Sequence, residues 1–161
     1  MKKLLLIELN EINFELVNKY IDKYPGLFKN FERITELNGY RTTSEAEYSE
    51  LEPWIQWVSI HTGKKYKEHK VFRLGDIVNF EFEQIFEKVE SLGFSVGVIS
   101  AMNAKNSLKN PKYFIPDPWT ETETDGSYLS EMFKSVLKQT VNDNTQSRIT
   151  LKSILFIIAL Y

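Results

Sequence analysis

At 161 residues, 42% of them hydrophobic and 26% charged, the chain is long enough for one domain with a real core. A formal net charge of -2 gives no general pull toward nucleic acid or an anionic membrane, and a 14% aromatic share argues against disorder. The absence of cysteine excludes disulfides, thiolate metal sites and thiol nucleophiles, and fits a reducing, cytoplasmic setting.

The opening MKKLLLIELNEIN has an apolar run broken by Glu8 and no small-residue cleavage site after it, so a strand over Lys3–Leu9 is expected rather than a signal peptide. A short, nearly continuous apolar run of this kind suits a strand buried on both faces of a parallel sheet. Asn10–Asn13 then forms the turn. A helix carries Phe14, Leu16, Val17, Tyr20, Ile21 and Tyr24 on one stripe and ends at Pro25-Gly26. A second helix carries Leu27, Phe28, Phe31, Ile34 and Leu37 and stops at Asn38-Gly39, and Tyr40–Ala46 reads as a short extended piece.

Pro53 suits the first position of a helix, where its missing N–H would be unpaired anyway. Trp54, Trp57, Val58 and His61 then share one side of that helix, which Thr62-Gly63 closes. Gly75-Asp76 closes a turn. Phe82, Ile85, Phe86, Val89 and Leu92 predict an amphipathic helix capped by Gly93, and Phe94–Ser100 predicts a second buried strand. The two strands are expected to lie parallel in one sheet, with helices between them as right-handed crossovers require. From Ala101 to Gly126 runs a long polar connection with Pro111, Pro116 and Pro118, followed by a helix over about Tyr128–Thr140.

The fold class is therefore α/β: a mostly parallel sheet flanked by helices. Residues 1–141 make the core, and 142–161 a polar hinge followed by an apolar C-terminal helix. Ile154–Tyr161 is wholly apolar but too short to cross a bilayer, which takes about 20 such residues. We expect the chain to be the front part of something longer, with a partner or a further C-terminal segment covering this end.

In α/β sheets ligands bind at the C-terminal ends of strands. The first strand ends in Glu8, Asn10, Glu11 and Asn13, a density of oxygen donors that suits a cation, or else asparagines capping the next helix beside solvated glutamates. His61, beside tryptophans, fits a hydrogen-bonded core residue more readily than a ligand. His69, behind Lys64, Lys65, Lys67 and Glu68, reads as a surface histidine in a basic loop. Asp117 sits between two prolines with Trp119 alongside, either at a pocket lip or in a tight turn pinning a loop to the core.

Together these pieces resemble the front half of the alkaline phosphatase superfamily, in its phosphodiesterase and sulfatase-like branch. Members open with a strand such as LLISIDG, whose end carries a metal-binding aspartate; here Leu5–Glu11 reads LLIELNE, with Asn10 at that position. Their next signature is a helix that starts near the nucleophile, ends in Thr-Gly and runs into Pro-x-x-His-Gly. WVSIHTGKKYKEHK (Trp57–Lys70) is similar, with Thr62-Gly63 and His69 in place and Lys70 where the glycine stands. The nucleophile position falls at Pro53, beside Glu52, and the chain holds no counterpart of the family's downstream histidine ligands. The resemblance implies an alkaline-phosphatase-like core acting on phosphate or sulfate esters. Asn10 and Glu11 would lie beside a divalent metal, zinc or manganese. Glu52 or Ser49 (with Ser59 as a further hydroxyl) would be reactive, and Trp54, His61, His69 and Asp117 would face an anionic or sugar-linked substrate. It equally allows a non-catalytic domain that binds such a ligand, or a protein partner, in the same cleft.

Overall fold

The computed structural model describes residues 3–36, 47–142 and 154. It divides the chain into two compact units, Met1–Ser44 and Glu45–Tyr161. The predicted pieces at Asn38-Gly39, Tyr40–Ala46, most of the hinge and all but one residue of the apolar C-terminal segment lie outside the described residues.

In the first unit, helix α1 (Phe14–Lys23) begins where expected, because the Asn13 side chain accepts the Leu16 N–H at 3.0 Å and caps it. Helix α2 (Lys29–Glu36) follows the Gly26 turn, whose N–H is taken by the Glu32 carboxylate. The apolar stripe is present on α1, yet neither helix buries a residue. The predicted strand over Lys3–Leu9 is not formed. That segment has no strand pairing, and Leu4 and Leu5 are 90% and 80% exposed. A strand exists only through its ladder, and the described part of this unit offers two helices and no second strand to pair with.

The second unit holds the sheet. Strand β1 (Gly97–Ile99) lies within the predicted Phe94–Ser100 segment and pairs in parallel with β2 (Tyr113–Ile115), in register Val98 to Phe114. The expected partner of β1 was Lys3–Leu9; the observed partner is a three-residue strand inside the supposed polar connection. Pro111 and Pro116 bracket β2 so closely that Tyr113, Phe114 and Ile115 look like a loop in sequence. The described residues are thus mixed α/β with a two-stranded parallel sheet.

Helix α3 (Pro53–Thr62) starts at Pro53 and ends at Gly63, which takes the left-handed conformation (φ 67°) that glycine adopts without strain. The one-turn α4 (Tyr66–His69) folds back on α3. Helix α5 (Ile85–Ser91) is shorter than the apolar pattern suggests. Gln84 and Glu87 form a capping box that sets its start, and Phe82 stays outside, stacked on Phe80 at 5.8 Å. Helix α6 (Tyr128–Asn142) packs beside β2. Phe86, Val98, Ala101, Ala104 and Phe114 form one core cluster, and Val58, Val71 and Ile77 a second. Full burial of such a side chain as Phe114 contributes roughly 1.5–3 kcal/mol.

The outer side of β2 is closed by a side chain. Asp125 accepts the Phe114 N–H at 2.7 Å, the Ser127 N–H at 3.0 Å and the Ser130 hydroxyl, tying the strand to the first turn of α6. Burial raises the Asp125 pKa, but the hydrogen bonds from Ser127, Ser130 and the Phe114 N–H outweigh it and hold the carboxyl well below the usual range. A depressed carboxylate stabilises the fold above its unfolded value of 3.8 and loses that contribution as pH falls toward its folded value. The wild type should therefore lose melting temperature from about pH 4 downward more steeply than Asp125→Asn. The variant should be the less stable of the two at pH 7. Parallel slopes in thermal unfolding across that range would show that Asp125 is not the group responsible.

Candidate functional site

The candidate site is built around the start of α3. Glu52 is its N-cap residue, with extended backbone (φ -62°, ψ 136°), but its carboxylate makes no capping hydrogen bond. The Glu52 carbonyl instead accepts from the N–H groups of Ile55 at 2.9 Å and Gln56 at 3.1 Å. Pro53 has no N–H, which leaves the Trp54 amide as the first-turn donor without a partner among the described residues. Just upstream, Ser49 is exposed in a 3₁₀ turn (Tyr48–Glu50), and Glu50 is buried. The Glu50 carbonyl accepts from the Gln56 side chain at 3.2 Å, which ties this turn to the helix. Ser49, Glu52 and Trp54 are thus near neighbours along the chain, at the junction that this bond closes. Glu50 was not singled out in sequence, where it is one of four glutamates within eight residues.

Asn103 fixes where the start of α3 lies. It is fully buried, and its side-chain amide donates to the carbonyls of Trp54 at 2.9 Å and Arg73 at 3.2 Å while its oxygen accepts the Gly75 N–H at 2.9 Å. Its own N–H donates to Asp117 Oδ2 at 2.8 Å. Asp117 also accepts the Trp119 and Thr120 N–H groups, at 2.8 and 3.0 Å, and the Thr120 hydroxyl at 2.6 Å. Asn103 lies in the loop leaving β1 and Asp117 in the loop leaving β2. The C-terminal edge of the parallel pair is therefore knotted to the first turn of α3. Gly75 belongs to the same knot: at φ 86° a Cβ would stand 2.8 Å from the Trp119 carbonyl oxygen.

This arrangement assigns Asp117 to the turn that pins a loop to the core. Both carboxylate oxygens are occupied by protein donors and the side chain is buried. Trp119 beside it remains about half exposed. Asn103, which was not singled out in sequence, shares this role with Asp117: its side chain makes three hydrogen bonds and that of Asp117 accepts four. Its backbone is left-handed (φ 53°), a conformation asparagine tolerates better than most residues.

The two histidines are both interior. His61 is buried between the rings of Trp57 at 5.9 Å and Phe86 at 5.2 Å, as a core histidine would be. His69 is fully buried, not a surface residue, because α4 folds its ring against α3. Val71 N–H donates to its Nδ1 at 3.0 Å, so that nitrogen is unprotonated and the proton sits on Nε2, 3.0 Å from Ser59 Oγ. Nε2 is then the donor and Ser59 the acceptor. The pair reads as a clamp between α4 and α3, since a base activating Ser59 would need a bare Nε2. Ser59 and His69 also lie toward the C-terminal end of α3, away from Glu52.

Asn10 and Glu11 are exposed in the first unit, with Glu11 in a left-handed turn (φ 57°), whereas Ser49 and Glu52 belong to the second. Asn13 is the residue that caps α1. Among the described residues no group of three or more histidine, aspartate or glutamate side chains could hold a metal ion. Both histidines are packed in the core of the second unit. No described helix is long and apolar enough to cross a membrane. No family model, curated protein or solved structure matches the chain.

Proposed function

We propose that this chain is the N-terminal part of an alkaline-phosphatase-like protein and that, as this chain, it binds a phosphate- or sulfate-bearing ligand without turning it over. The observation that carries the reading is the knot of Asn103 and Asp117. It holds an uncapped helix start beside the loops that leave the C-terminal ends of two parallel strands, the side of an α/β sheet on which ligands bind. A helix N-terminus offers N–H groups and a positive dipole end to an anion. Trp54 and Glu52 provide the immediate surroundings, and Ser49 the nearest hydroxyl upstream. Asn10 and Glu11 are the proposed metal-side residues, and a divalent ion there would draw its other ligands from outside the described set. The binding role is favoured over catalysis because Pro53, at the nucleophile position, has no hydroxyl or thiol to activate. A sugar-linked anion or an acidic partner protein would use the same donors. A cytoplasmic location belongs to the same proposal.

Assay with nitrophenyl phosphate, phosphodiester and sulfate, with zinc, manganese or magnesium added, is expected to show no turnover above the uncatalysed rate. Robust turnover abolished by Ser49→Ala would make Ser49 a nucleophile, and turnover abolished by Glu52→Gln would give the chemistry to that carboxylate. Either result overturns the binding reading.

A further inference from the structure

We draw no further inference here: the strongest candidate, the outward edge of β1 where the backbone of Gly97 and Ile99 faces away from β2, is a sheet edge without a partner among the described residues, and nothing in the structure shows what covers it.

Discussion

Replacing Asn103 with alanine is expected to cost about 3–5 kcal/mol of folding stability. The change deletes three hydrogen bonds at once and leaves the Gly75 N–H and the carbonyls of Trp54 and Arg73 without their partner. These groups are part-buried, so each lost partner costs toward the lower end of about 1–3 kcal/mol. Alanine at φ 53° adds roughly another 1 kcal/mol of backbone strain. Since domains are stable by only about 5–15 kcal/mol, Asn103→Ala should shift the urea midpoint strongly at unchanged slope. Asn103→Asp separates the hydrogen bonds from the backbone preference. It keeps the shape and the acceptor for Gly75 but turns a carboxylate toward two carbonyl oxygens, so it should also be markedly destabilised. A loss below about 1 kcal/mol in both variants would mean that the knot does not hold the loops together.

Asp117→Asn is expected to be nearly as damaging although it alters only one atom. The carboxylate accepts four donors, and an amide in its place presents N–H groups to at least one of them. A loss of about 2–4 kcal/mol follows, with hydrogen exchange rising first at Asn103, Trp119 and Thr120. Because Asp117 holds the Asn103 backbone, the two substitutions should not add. The double variant Asn103→Ala/Asp117→Asn should cost less than the two losses summed, by 0.5 kcal/mol or more in a range of about 0.5–3. Additive losses would show the residues acting separately. If Asp117→Asn matched the wild type in both stability and exchange, the turn would not depend on its charge.

Local chemistry explains which parts of this fold were legible. Pro53 and Gly63 delimit α3 because each fixes backbone geometry through its own covalent structure, and Asn13 starts α1 through one short hydrogen bond. β1 was visible as an apolar run. β2 was not: three residues between prolines carry no periodicity, and the strand exists only through its ladder to β1 and the Asp125 carboxylate. Lys3–Leu9 shows the opposite failure, an apolar run with no ladder partner among the described residues of its unit. The same limit governed the site. Glu52 and Trp54 owe their place at the start of α3 to the neighbouring Pro53, and the burial of His61 goes with its aromatic neighbours. His69 was misplaced because its burial depends on α4 folding back on α3 through Ser59 and Val71. Asn103, 49 residues from Trp54 in sequence, carries no local mark of the contact it makes.

The Trp54 amide, at the helix start that the Asn103–Asp117 knot holds, is the donor the binding reading calls on. Titration of ¹⁵N-labelled protein with nitrophenyl phosphate, followed by amide chemical shifts, tests it most directly. The account predicts a saturable shift centred on the Trp54, Ile55 and Glu52 amides, suppressed by salt, with the ester intact at the end of the titration. Unmoved α3 resonances at saturating ester, or shifts confined to the Lys64–Lys70 loop, would contradict it.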